Sequence, residues 1–320
     1  MKKTILITGG AGFIGAHLAK RLGQDGHELI LLDNFNDYYD PGLKEARISE
    51  LLKDTPHTLY RADLSDLPTL EAIFEKHQID HIAHQGAQAG VRYSIDNPFA
   101  YGESNLMGTL HILELARRHG VKGISMASSS SVYGDATNIP IRESDCEDKP
   151  ISLYAATKRA TEHMAHAYHH LYDIPITCLR YFTVYGPWGR PDMAYFKFMD
   201  LSYAGKGIDV YGQGKMARDF TYVDDIVDGI VLSIEKNHPW AVMNLGRGHA
   251  EPLMDMIKLI EDYTDITFEK TYLDMQPGDV RETWADTSLA KELLGWESKT
   301  SLAEGLKSFV AWYKDYYHKN

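Results

Sequence analysis

The sequence predicts an α/β fold: a doubly wound parallel sheet with a smaller, mixed α/β domain attached. Three observations lead there. Short apolar, β-branched runs alternate with helical patterns through the first half, as strands buried on both faces and separated by helices require. A glycine turn, Gly9-Gly-Ala-Gly12-Phe-Ile-Gly15, stands between the first run and the first helical pattern. From Thr183 the pattern loosens and fills with Gly, Pro and aromatic residues.

Thr4-Ile-Leu-Ile-Thr8 reads as the first strand, and Leu18 and Leu22 mark the helix that follows the glycines. Glu28-Leu-Ile-Leu-Leu-Asp33 is a second strand ending in an acid, with further strands expected near Leu59–Ala62, His81–Ala83, Gly123–Ala127 and Pro175–Arg180. Phe220–Leu245 is expected to return to the sheet. This assigns residues 1–182, with about 219–245, to the sheet domain, and about 183–218 with 246–320 to the second. No internal repeat or low-complexity linker interrupts the chain.

Strand, glycine loop, helix, strand and acid occur in the order of a Rossmann dinucleotide site. Gly9 allows the tight turn, Gly12 lets backbone approach a pyrophosphate, and Gly15 lets the helix pack closely. The helix N-terminus offers the phosphates free N–H groups and the positive end of its dipole. Asp33 stands where a carboxylate accepts hydrogen bonds from the adenosine ribose. No arginine follows at once to hold a 2′-phosphate, so NAD is expected rather than NADP. Asp63 and Leu64 follow the third strand, where an adenine could be gripped.

Tyr154 and Lys158, in Ser-Leu-Tyr-Ala-Ala-Thr-Lys, share one face of a predicted helix. The serine cluster Ser128-Ser129-Ser130-Ser131 closes an apolar strand, at the sheet edge where open α/β folds bind ligands. Oxidising a secondary alcohol requires a base for the hydroxyl proton. A free tyrosine, with a pKa of about 10, is too weak at neutral pH. Lowering it by ~3 units needs roughly 4 kcal/mol, which Lys158 and a cationic nicotinamide could supply in a dry site. Lys158 is also expected to bond the nicotinamide ribose, and Ser129 to hold the reacting oxygen.

The 320 residues are 44% hydrophobic, ample for a core, and the formal charge of −12 argues against a nucleic-acid partner. No run of about 18 apolar residues suggests a membrane span. Cys146 and Cys178 are the only cysteines, which fits a reduced, cytoplasmic protein better than a disulfide framework. His163, His166, His169 and His170 crowd one helix without a completing cysteine or carboxylate constellation, so no metal site is expected.

Longer stretches carry a resemblance: Asn36-Asp-Tyr-Tyr-Asp40, Gln88-Ala-Gly-Val-Arg-Tyr-Ser94, Ser128-Ser-Ser-Ser-Val-Tyr-Gly134, Phe182-Thr-Val-Tyr-Gly-Pro-Trp-Gly-Arg-Pro-Asp-Met193, Arg218-Asp-Phe-Thr-Tyr222 and Gln276-Pro-Gly-Asp-Val280. With Ser152–Lys158 they make the chain similar to the extended short-chain dehydrogenase/reductases of the nucleotide-sugar epimerase kind, and most to the UDP-glucuronate 4-epimerases. The resemblance implies bound NAD, a transient 4-keto sugar that turns about its diphosphate, and interconversion of UDP-glucuronate with UDP-galacturonate. It implies that Phe13, Ile14, Asn34, Asn36, Gln85, Gly86, Ala87, Gln88, Tyr181 and Val184 join the residues above along NAD. It places Arg92, Ser129, Ser130, Ser131, Thr183, Arg190, Arg218 and Asp279 along the UDP-sugar. Arg190 is the candidate for the sugar carboxylate, because a guanidinium meets a carboxylate in a two-bonded fork; Arg218 is the candidate for the diphosphate. A 4-keto uronic acid is a β-keto acid, so holding its carboxylate should suppress loss of carbon dioxide. The helices near Asn105–His119 and Tyr154–Leu171 are expected to pair two copies into a homodimer.

One departure stands out. After His84 the family pattern is Leu-Ala-Ala-Gln, and this chain has Gln85-Gly86-Ala87-Gln88. The missing methyl at Gly86 is expected to alter cofactor retention. Rival readings remain: an epimerase of UDP-glucose or UDP-N-acetylglucosamine, a UDP-glucuronate decarboxylase, or a non-catalytic NAD-binding protein. A 4,6-dehydratase is disfavoured, since Ser130 and Ser131 stand where it needs an acid–base pair.

Overall fold

The computed structural model of the chain describes residues 2–136, 138–275 and 281–318. Its centre is a seven-stranded sheet of β1 (Thr4–Thr8), β2 (Glu28–Asp33), β3 (Thr58–Arg61), β4 (His81–His84), β5 (Ile124–Ser129), β6 (Ile176–Tyr181) and a last strand, Trp240–Leu245. The spatial order is β3-β2-β1-β4-β5-β6, with Trp240–Leu245 beyond β6. Every pairing is parallel. The order reverses between β1 and β4, the point where ligands bind in such sheets.

Alternation along each strand divides the core between two faces. Ile5, Ile7, Leu29 and Leu31 pack with Leu18 and Leu22 of α1 (Phe13–Gln24) and with Ile226 and Ile230 of a later helix, Val223–Lys236. Leu6, Ile30 and Leu32 face the other way, onto Leu70 and Phe74 of Leu67–Lys76 and Ile112 of Gly108–Arg118. Both faces are covered, which is why the strands are apolar throughout.

A third cluster lies apart. Tyr195, Phe196 and Met199 of helix Ala194–Tyr203 pack with Met256 and Ile257 of Leu253–Thr264 and with Phe309 and Tyr313 of Leu302–Tyr317. The last helix starts at a capping box in which Ser301 and Glu304 bond each other's backbone. The segment expected to rejoin the sheet divides: Trp240–Leu245 pairs with β6, whereas Phe220–Tyr222 pairs with Thr183–Tyr185 in a separate two-stranded ribbon.

The helix carrying Tyr154 and Lys158 spans Leu153–Tyr172, and Ser152 caps it by accepting from the Ala155 N–H at 3.1 Å. A buried charge network fixes that helix to the strand ends. Glu162 accepts both arms of Arg180 at 2.8 Å, Arg159 at 2.8 Å and the Ser128 hydroxyl at 2.6 Å. Arg180 next reaches the Tyr133 hydroxyl, which donates to Asn244. Removing one member of such a pair strands a buried charge. Glu162→Ala is therefore expected to lower stability by about 3–5 kcal/mol, read as a reduced midpoint in urea unfolding.

Candidate active site

The loops after β1, β4 and β5 open into one cavity of about 830 Å³ at the C-terminal edge of the sheet. Its floor is the glycine turn. Gly9 has φ +66°, and the Gly12 N–H bonds its carbonyl at 2.9 Å. A Cβ on Gly12 would stand 2.9 Å from that same oxygen, and one on Gly15 would overlap it outright. Two of the glycines are thus required first for the loop to close on itself. Gly12 also caps α1 without any side-chain bond to the first turn, so backbone donors there can serve a ligand.

Gly86 crosses directly over this turn. A methyl there would lie 3.0 Å from Gly9 N, Leu64 Cδ1 and Thr8 Oγ1. Its N–H is held by Thr8 Oγ1 at 3.0 Å, which limits the conformational freedom a glycine otherwise has. Its neighbour Gln85 accepts from the Tyr181 hydroxyl at 2.8 Å, and Gln85 Nε2 is buried without a partner. An orphaned donor and a glycine cradle both suit a dinucleotide. Phe13, Ile14, Ala87, Gln88 and Val184 line the same cavity.

Asp33 is buried at the end of β2 and accepts from Ala11 N at 3.2 Å, Phe35 N at 2.9 Å and Lys44 Nζ at 3.2 Å. Lys44 also donates to Asn36, and Asn36 donates to Gln88 at 3.3 Å. Asn34 lines the cavity, but Asp63 does not. Asp63 accepts from Asn34 at 2.6 Å and from Ser65 N at 2.8 Å. An acid at a strand end readily closes its own turn, and Ala62 and Leu64 on either side of it line the cavity.

Tyr154, Lys158, Ser129, Ser130 and Ser131 line the opposite wall with Thr183, Arg190, Arg92 and Arg218. Ser129 accepts from Ser131 N at 3.2 Å and donates to Ser131 Oγ at 3.1 Å. Several neighbours set the electrostatics of Tyr154. Burial raises its pKa; the Ser129 hydrogen bond and then Arg190 oppose the rise, with Asp192 adding to it. Lys158 is itself buried. Its Nζ donates to the Ala127 carbonyl at 2.9 Å, and burial brings its pKa down to about 8.

Arg190 is also not an open fork. Nε donates to Asp192 Oδ1 at 2.9 Å and Nη2 to Oδ2 at 2.5 Å, and the Tyr38 hydroxyl donates to Oδ2 at 3.1 Å. Nη1 makes no hydrogen bond among the described residues. Arg218 Nη1 donates to the carbonyls of Ala217 and Arg281, and Arg92 lies 5.7 Å over the Tyr211 ring. Asp279 lies outside the described residues.

Tyr38, Lys44 and Asp192 line the cavity but were not predicted, nor was Arg47, which donates to the cavity-lining Tyr39. Lys44 and Arg47 follow Leu43 and Ala46 on a turn whose apolar members are buried; two cations sharing that inward stripe were the available signal. The crowded histidines have a packing role instead: His166 meets Trp240 edge-on at 4.9 Å and His169 stacks on it at 5.7 Å. Among the described residues no cluster could hold a metal ion, and no helix is long and apolar enough to cross a membrane.

A dinucleotide groove beside a Tyr/Lys/Ser constellation defines a nicotinamide-dependent enzyme of the short-chain class. The chain belongs to the NAD dependent epimerase/dehydratase family, whose model matches residues 5–246. It is 52% identical to an uncharacterized protein of Methanocaldococcus jannaschii over 97% of this chain and 96% of that one. It is 43% identical to the probable UDP-glucuronate 4-epimerase of Rhizobium meliloti, over 98% of both. The crystal structure of UDP-glucuronic acid 4-epimerase from Bacillus cereus, with UDP-glucuronic acid and NAD, superposes at a TM-score of 0.90. It shares 35% identity over 98% of this chain and 100% of that one.

The depressed pKa of Lys158 carries a pH signature. Below pH 8 the amine is charged in folded and unfolded chains alike, and folding bears the full cost of burying it. Between pH 8 and the unfolded value of 10.5 the unfolded chain binds more protons, so stability rises with pH. Without dinucleotide, wild type should gain roughly 3 kcal/mol over Lys158→Met across that window, measured by urea unfolding at pH 7, 9 and 10.

Proposed function

We propose that the protein is a UDP-glucuronate 4-epimerase that interconverts UDP-glucuronate and UDP-galacturonate using bound NAD. The observation that carries this reading is the convergence of Tyr154, Ser129, Thr183 and Arg190 on the cavity that the glycine turn also lines. A base for a sugar hydroxyl and a cation for a sugar acid thus border one space. The relatives named for this activity match along nearly the whole chain.

The N-terminus of α1 would hold the pyrophosphate, Asp33 with Asn34 and Asn36 the adenosine ribose, and Lys158 the nicotinamide ribose. When bound, NAD supplies reversible hydride exchange at C4 of the sugar. Ser129 and Tyr154 position the C4 hydroxyl, and Tyr154 takes its proton and later returns it to the opposite configuration. Arg218 and Arg92 hold the diphosphate while the sugar turns. The carboxylate lies at Thr183 and the Nη1 edge of Arg190, since Asp192 already fills the two-bonded edge. Residues 1–182 with about 219–245 serve the dinucleotide, and about 183–218 with 246–320 the sugar nucleotide.

Ile95, Phe99, Met107, Leu171 and Tyr172 leave large apolar surfaces exposed on segments 93–118 and 153–172. Patches of that kind mark association surfaces, and we assign this one to a homodimer. Light scattering after size exclusion should give twice the chain mass. Two free thiols and no membrane-length helix among the described residues suit a cytoplasmic site of action.

Incubation with UDP-glucuronate, first without and then with added NAD, tests the activity. Proton NMR should show UDP-galacturonate accumulating at constant mass. A UDP-pentose with release of carbon dioxide would make the protein a decarboxylase; turnover of UDP-glucose alone would make it a neutral-sugar epimerase. Tyr154→Phe should cut kcat by about 10²–10⁴ with little change in KM.

A further inference from the structure

Arg47 has no exposed surface and no carboxylate partner among the described residues. Its five N–H donors are nonetheless all engaged. Nε and Nη2 reach the Trp188 carbonyl at 3.0 and 2.7 Å, and Nη2 also reaches Gly189 O at 3.1 Å. Nη1 reaches Ala11 O at 3.1 Å and the Tyr39 hydroxyl at 2.7 Å. Burying an unpaired charge is expensive, so a filler role suits this residue poorly: a methionine would occupy similar space without that cost.

The two ends of the fork are the informative part. Ala11 sits inside the glycine turn, and its N–H bonds Asp33. Trp188 precedes Arg190 by two residues and holds φ +59°, a left-handed conformation that a bulky side chain adopts only under constraint. Its indole packs on Trp312 and Tyr316 at 5.2 and 5.1 Å. The segment Gly186–Asp192 is therefore gripped from one side by the C-terminal helix and from the other by Arg47.

We propose that Arg47 is a positioning residue that couples occupancy of the dinucleotide loop to the placement of Arg190, so that NAD binding tightens recognition of the acidic sugar. This rests on the epimerase reading for the role of Arg190, but the coupling itself lies in the chain's own bonds. A displaced Ala11 carbonyl must move or release the guanidinium, and with it the two carbonyls that set the Arg190 segment. A lysine keeps the charge and cannot span both sets of acceptors.

The test uses full-length wild type and Arg47→Lys, freed of bound dinucleotide. Hydrogen exchange over residues 186–192 should slow when NAD is added to wild type, and should not change in the variant, while residues 9–15 are protected in both. Calorimetry should show NAD raising wild-type affinity for UDP-glucuronate roughly tenfold. That enhancement should vanish in Arg47→Lys, with affinity for UDP unaltered. No slowing over 186–192 in wild type overturns the proposal by itself, even if the variant fails to fold. Equal slowing in both proteins, or equal weakening of UDP and UDP-glucuronate in the variant, also overturns it and reduces Arg47 to a structural group. Failure of the epimerase reading shows separately, as absence of UDP-galacturonate with the exchange result unaffected.

Discussion

The crossing of two main chains at Gly9 and Gly86 is the constraint on which the cavity depends. A Cβ on Gly9 would displace the Gly86 backbone, and one on Gly86 would lie tight against Gly9 N. That contact lets the loops after β1 and β4 lie against each other, and it leaves the groove between them shallow enough for peptide groups to reach a ligand. The Thr8 hydroxyl fastens the crossing through Gly86 N, and it also meets His84 Nδ1 at 2.8 Å. Burial lowers the His84 pKa to about 3, so the ring is neutral and can act as a fixed strut. Where the family pattern has an alanine, glycine lets the strands approach without pushing Leu64 aside, and Leu64 is part of the cavity wall.

At the other wall burial acts on both Tyr154 and Lys158. Desolvation favours the neutral forms of both Tyr154 and Lys158. Arg190 acts on the phenol in the favourable sense, and Asp192 largely opposes it, because the two form one nearly neutral pair. Arg190 and Asp192 thus nearly cancel around the phenol, while Lys158, whose pKa burial brings down to about 8, still carries its charge at neutral pH. Burial favours the un-ionised phenol, and the Ser129 hydroxyl bonds it in the opposing sense.

Local pattern exposed most of this in the sequence. The apolar strands, the glycine spacing and the Tyr-x-x-x-Lys helix are each set by residues close along the chain, where periodicity and turn chemistry act directly. Arg47 and Trp188 are 141 residues apart and meet only through the fold; no spacing rule reaches that distance. Asp63 shows the opposite case. Its position after a strand suited a ligand contact, but a nearer donor, the N–H of Ser65, closed an ordinary turn. Asp192 was read as part of a motif and not as a partner of Arg190, because two residues apart in sequence says nothing about which way two side chains turn in a loop.

The Arg190–Asp192 pair also bears on how an acidic sugar is told from a neutral one. A lone buried guanidinium would bind any carboxylate strongly but would stay costly without one. Pairing it with Asp192, itself steadied by Tyr38, removes that cost and leaves one edge for a second anion. A neutral hydroxymethyl oxygen at that edge would accept only an uncharged hydrogen bond from Nη1, whereas on the proposed reading a carboxylate would accept a charge-assisted one. Discrimination on that reading comes from the greater strength of the charge-assisted bond. On the proposed reading the same geometry would hold the carboxylate at one edge of a fixed plane and so set the direction of its bond to the sugar, with Arg190 placed by the carbonyls that Arg47 holds.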